Sequence, residues 1–95
     1  MTVAVLRCSL RLPSRTLKEK RTIVKSVVER LRNRFNASVA EIEDLDNVGV
    51  ATIAAAVISN SSQHADRQAQ SIAAAIESWR LDCEVIDISV ELIDA

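Results

Sequence analysis

The residue types able to do chemistry are few, and their spacing excludes more than it offers. There is one histidine, His64, and there are two cysteines, Cys8 and Cys83. A histidine relay needs a nucleophile and a carboxylate brought to it from elsewhere in the chain, and no pattern around His64 points to either. The cysteines lack metal-ligand spacing and have no histidine neighbour, and Cys8 reads as a small buried hydrophobe. If the first and last strands pair regularly, Cys8 and Cys83 carry opposite parity and lie on opposite sheet faces, so a disulfide is not expected. The acidic run Glu41, Glu43, Asp44 and Asp46 could hold a hard cation. It has no glycine at a metal-loop position, however, and alternation separates Glu41 and Glu43 from Asp44, so charge protecting an edge strand is the better account. With a single glycine, Gly49, no phosphate loop, dinucleotide fingerprint or glycine-loop RNA clamp can be written. The Asn60-Ser61-Ser62 amides could meet a small anion, as any capped helix start could. The expectation is a protein that is not an enzyme and has no cofactor and no metal.

What remains is charge. Net charge is −1, yet residues 7–34 carry +8 and the rest of the chain −9. The basic half centres on a helix beginning after Thr16. Placed on a helical wheel, Leu17, Val24, Val28, Leu31 and Phe35 share one apolar arc. Lys18, Arg21, Lys25 and Arg32 fall together beside that arc as one stripe, with Lys20, Arg30 and Arg34 expected on the opposite flank. That stripe is the candidate polyanion-binding surface. Its competing explanation is a solvated face partly neutralised by the acidic strands, with Arg30, Arg32 and Arg34 complementing the helix dipole.

The elements that must position these residues follow from periodicity. Thr2 to Leu12 alternates, with Ala4, Leu6, Cys8, Leu10 and Leu12 inward and Val3, Val5, Arg7, Ser9 and Arg11 outward. Pro13-Ser14 ends it. Thr16 and Glu19 make a capping box, each side chain meeting the other's amide, and the helix runs to about Arg34 with Asn36 as a left-handed cap. Asn36 to about Leu45 is a second strand, Asp46-Asn47 begins a turn, and Val48 to Ser59, apolar at both parities, fits a central strand covered on both faces. After Asn60-Ser-Ser62, Ala65, Ala69, Ile72, Ile76 and Trp79 define a second helix. A short loop near Leu81-Asp82 leads to a last strand, Cys83 to Ile93, with Ile86, Ile88, Val90 and Leu92 inward and Asp87, Ser89 and Glu91 outward. Asp87 and Glu91 are thereby expected near Arg7 and Arg11.

The order βαββαβ with right-handed crossovers gives one α+β domain over residues 1–95: a ferredoxin-like sandwich with antiparallel strand order 4-1-3-2 and both helices on one face. RNA-recognition domains share that order but stack bases on sheet aromatics. The only aromatics here are Phe35 and Trp79, on neither the first nor the third strand. The core must be aliphatic. No run approaches the roughly 20 apolar residues of a membrane helix and no signal peptide is visible, so a cytoplasmic setting is expected.

The segments LKEKR (17–21), RLRNRFN (30–36) and SVAE (38–41), with a third strand ending Val-Ile-Ser-Asn60, resemble the YlxP-like family of small bacterial proteins across the whole chain. The resemblance implies a ferredoxin-like fold, a cytoplasmic bacterial protein and self-association, with no established activity. Family genes often lie among those for translation initiation and ribosome maturation factors, which implies by association a role near the ribosome. The functional expectation is a non-enzymatic accessory protein binding RNA or a ribosomal particle through Lys18, Arg21, Lys25 and Arg32. The alternatives are a protein-interaction module that forms a homo-oligomer through its open sheet face, and a small-molecule regulatory domain.

Overall fold

The computed structural model describes residues 1–79 and 83–95. The elements are β1 (Thr2–Arg11), α1 (Leu17–Arg34), β2 (Ser38–Glu43), β3 (Val50–Ser59), α2 (Ser62–Ser78) and β4 (Glu84–Asp94). They form one antiparallel sheet in the order β2-β3-β1-β4 with two helices, consistent with a ferredoxin-like arrangement. The loop expected at Leu81-Asp82 lies outside the described residues.

The inner face of β1 (Leu6, Cys8, Leu10) meets Ile53, Ala55 and Val57 of β3 and the buried faces of both helices in one aliphatic core. α2 approaches the sheet closely where Ala65 and Ala69 pack on Ala4, since alanines leave the least volume between helix and strand. Ser61 caps α2 by accepting from the His64 amide at 3.3 Å, which leaves His64 exposed at the surface.

Four local expectations are corrected. The Thr16 hydroxyl does accept from the Glu19 amide at 3.1 Å, but Glu19 Oε2 accepts from the Arg15 amide at 2.9 Å, not from that of Thr16. α1 ends on Phe35 in an extended conformation, and Asn36 has no left-handed φ; Asp44, at φ 60°, is the described non-glycine residue that does. The Phe35 amide still reaches Leu31 O at 2.9 Å, so the helix closes without a left-handed residue. β3 is central, yet only one face is covered: Ile58, on the helix-free face, is 64% exposed.

The fourth correction concerns parity. In β4 the pairing steps from Ser9↔Asp87 to Leu10↔Val85, so Ile86 has no partner. Such a bulge inserts one residue and inverts every side chain beyond it. Ile88 and Val90 pack on the core as expected, but Val85 does so in place of Ile86, which is 46% exposed. Cys83 is thereby brought to the core side, the side of Cys8, contrary to regular alternation. Cys8 and Cys83 are not joined by a disulfide. Asp87 and Glu91 do lie beside the two arginines, opposite Ser9 and Val5 in the register, but the ion pairs go elsewhere: Arg7 meets Glu43 of β2 at 3.0 Å, and Arg11 meets Glu84 at 3.0 Å.

Cys8 is 1% exposed. Burial above all, with Cys83, Asp87 and Glu77 adding to it, pushes its thiol from 9.0 up to about 12. An unfolded chain ionises this thiol from pH 9 while the fold keeps it neutral, so its contribution to stability is complete below pH 9 and is lost between pH 9 and about 12. Urea unfolding of Cys8→Ala should show a shallower loss of stability across that window than wild type, by up to about 1.4 kcal/mol per pH unit. Parallel curves would show that the thiol is not held neutral.

Candidate functional site

α1 is the element that carries the candidate surface. Its sequence explains its orientation: Val24, Val27, Val28 and Leu31 are buried and turn the opposite side to solvent. Lys20 is buried as well, at 0% exposure, in contrast to the exposed flank expected for it. The reason is geometric. Three residues after Leu17 and four before Val24, it falls inside the apolar arc of the helical wheel.

The buried ammonium is met by the hairpin that joins β2 to β3. Lys20 Nζ donates to the backbone carbonyl of Asp44, lies 3.4 Å from that of Leu45, and sits 3.0 Å from Glu41 Oε2. The Glu41 side chain is only 16% exposed. The Glu41 contact is ionic, short of an aligned hydrogen bond, and that oxygen has no hydrogen-bond donor among the described residues. Glu41 reaches the inner side by regular alternation, two residues after buried Val39 and opposite Ile53; the bulge that follows skips Ile42, pairs Glu43 with Thr52 and turns Glu43 outward. Glu41 and Glu43 therefore lie on opposite faces, where regular alternation puts them together. The hairpin is tied further by the Leu12 amide to Gly49 O (2.8 Å), Ser14 Oγ to Val48 O (2.6 Å), and the Asn47 amide to Asp44 O (3.0 Å). The acidic run is thus divided between an inner ion pair and an outer one, Arg7–Glu43.

The four stripe residues have different fates. Lys18 and Arg21 are exposed, with no ion-pair partner among the described residues. Lys25 is exposed and lies 3.9 Å from Glu29, a pair worth only about 0.3–0.5 kcal/mol. Arg32 is exposed but engaged: its guanidinium donates to Val39 O on β2 at 2.6 Å. Of the opposite flank, Arg30 lies over the Trp79 ring (4.8 Å to the centroid) and Arg34 over Phe35 (5.5 Å). Each contact holds a guanidinium against an aromatic face.

Residues 3–90 match the family described as "Protein of unknown function (DUF503)". The chain belongs to this family. It is 33% identical over 64 residues to the uncharacterized protein YlxP of Bacillus subtilis (strain 168), a match spanning 67% of this chain and 70% of that protein. Among solved structures it is similar to the de novo designed protein Foldit4, with a TM-score of 0.52 at 15% identity over 98% of each chain. A likeness at that identity concerns the fold alone. The family segment LKEKR is the one that supplies both buried Lys20 and exposed Lys18 and Arg21. One short stretch therefore holds a structural lysine and a presented basic pair. Among the described residues, no helix is long and apolar enough to cross a membrane.

Sequence reasoning missed Lys20 as the buried charge, although its position on the wheel was available. Removing one partner of a buried pair leaves the other desolvated, at a cost of about 3–5 kcal/mol. Lys20→Ala should lower unfolding free energy by that order, whereas Lys20→Met with Glu41→Leu should recover most of it. Equal stability of Lys20→Ala and wild type in chemical denaturation would refute the role given to this pair.

Proposed function

We propose that this protein is a non-enzymatic accessory protein of the cytoplasm that binds RNA, free or within a ribosomal particle, through the exposed basic flank of α1. The observation that carries this reading is the contrast within one turn of helix. Lys20 is neutralised inside, while Lys18 and Arg21 stand exposed without an ion-pair partner among the described residues. Basic side chains in the first turns of a helix oppose its dipole, so their placement does little for the fold and suits an external anion. Lys25 adds a third charge on the same flank, since its exposed pairing with Glu29 is too weak to compete with a phosphate.

Contacts of this kind are to phosphates and carry no base preference. The surface has no aromatic on which a base could stack in the manner of sheet platforms, and the two rings at the far end of α1 are already covered by Arg30 and Arg34. Arg32 is held on the β2 backbone, so three residues of the stripe remain for the polyanion. The genomic company of the family, among translation factors, agrees with RNA as the polyanion.

Titrating labelled single-stranded RNA across a salt series should give a log–log slope of about −2, the value for three neutralised phosphates. Joint charge reversal at Lys18 and Arg21 should reduce it to about −0.7, while Arg32→Ala should leave the slope almost unchanged. Affinity indifferent to salt, or retained after the double reversal, would overturn the reading.

A further inference from the structure

The outer side of α1 carries more than cations. Thr22, Lys25, Ser26, Glu29, Arg30 and Asn33 line a shallow depression of about 470 Å³, which follows the helix for about three turns. Their spacing of three and four residues puts them on one side of the helix, and all six are exposed. Lys25 belongs both to this depression and to the basic flank beside it. The chemistry within differs from that of the flank. Next to the Lys25 ammonium stands the carboxylate of Glu29, which repels a phosphate. The Thr22 hydroxyl donates to Lys18 O at 3.1 Å, so toward a ligand it is an acceptor. Arg30 is held over the Trp79 ring. A surface made for phosphates alone has no use for a carboxylate and a hydroxyl acceptor in its midst.

We infer that this depression receives the ribose of the bound strand, with Glu29 accepting a hydrogen bond from the 2′-hydroxyl, so that the protein prefers RNA to DNA. This rests on α1 binding RNA through Lys18, Arg21 and Lys25, and adds the sugar to the phosphates. The Lys25–Glu29 pair carries it. The two charged groups stand 3.9 Å apart, both mostly in solvent, and hold each other weakly. A phosphate that takes up Lys25 withdraws that partner and leaves the Glu29 carboxylate facing the strand. In a ribonucleotide the 3′-phosphate and the 2′-hydroxyl sit on neighbouring carbons, an anion beside a hydrogen-bond donor. A cation beside an acceptor, as in Lys25 and Glu29, is the complement of that arrangement. In a deoxyribonucleotide the neighbouring carbon offers only C–H, and the carboxylate is brought close to a phosphate with nothing to donate to it. A site that hydrogen-bonds a hydroxyl discriminates against the analogue lacking it, because its own acceptor is left unpaired. The Glu29 side chain is 57% exposed, so water softens that penalty and the discrimination is moderate.

Fluorescence anisotropy at fixed salt, with one single-stranded sequence made as RNA, as DNA and as 2′-fluoro RNA, tests this. The wild type should bind RNA about fivefold more tightly than DNA, the worth of a hydrogen bond to a half-exposed charge. The 2′-fluoro strand keeps a ribose-like sugar shape but donates nothing, and should bind as DNA does. Glu29→Ala should tighten DNA binding, since a repelling charge is gone, and bring RNA and DNA to nearly equal affinity with an unchanged circular dichroism spectrum. If Glu29 acted only through its charge, the substitution would move both affinities by the same factor and keep their ratio, which would overturn the inference. Equal binding of RNA and DNA by the wild type would overturn it as well, while leaving the basic flank as a polyanion surface. Binding of neither strand would remove the surface and the inference together.

Discussion

A single buried ammonium holds this fold in register. Lys20 comes from the first turns of α1 and ends at the β2–β3 hairpin, on two backbone carbonyls and the Glu41 carboxylate. α1 has few other means of fixing its N-terminal half. The capping hydrogen bonds of Thr16 and Glu19 are exposed, and its main sheet partner is the short edge strand β2, reached through Val39. A cation that cannot move without leaving a carboxylate stranded sets both the height of α1 over the sheet and the conformation of the hairpin. The left-handed Asp44 belongs to the same arrangement. Aspartate tolerates that backbone region better than most residues, and the carbonyl it presents accepts from both Lys20 and the Asn47 amide.

The segregation of charge along the chain takes its meaning from this lysine. A +8 segment and a −9 remainder could annul one another across the fold, and in part they do: Lys20 with Glu41, Arg7 with Glu43, Arg11 with Glu84. Only the first pair is shielded from water. The other two are more than half exposed, where a pair contributes about 0.2–1 kcal/mol, and their effect is to organise one end of the open sheet face. Lys18 and Arg21 share a helical turn with Lys20 but not its direction. Burying the lysine between them leaves the two flanking charges at the surface.

Much of the architecture was legible because it rests on period. Alternation in Thr2 to Leu12 and the three-and-four spacing of Ala65, Ala69, Ile72 and Ile76 each have one physical solution, and β1 and α2 follow it. The strand order followed from crossover handedness. Two bulges were not legible. Skipping Ile42 and Ile86 costs one residue of pairing each and leaves no mark in composition, yet each inverts the faces beyond it. The first turns Glu43 outward to Arg7, and the second turns Val85 and Cys83 toward the core. Periodicity cannot report the point at which it is interrupted. Lys20 was misplaced for another reason: its place on the wheel pointed inward, but a lysine is almost never fully buried unless paired, and its partner Glu41 is identified only once β2 lies beside the helix. The same dependence explains Arg32, whose angle was right for a surface stripe while the edge-strand carbonyl that takes it up appears only once β2 is in place.

The two faces of the molecule are therefore built by different constraints. The helix side is specified tightly, by a packed aliphatic core and one ion pair that tolerates no slack, and the basic turn it presents cannot be displaced without breaking Lys20 away. The sheet side is specified loosely. Its alanines and valines satisfy the strands they belong to, and Ile58 among them is 64% exposed. Small side chains in a central strand lose packing that larger ones would supply on this face, and a chain folding for its own stability gains little from Ala54 and Ala56 there. The helix side presents its basic turn independently of the sheet side, because Lys20 and the core that fix it lie on one side of the sheet.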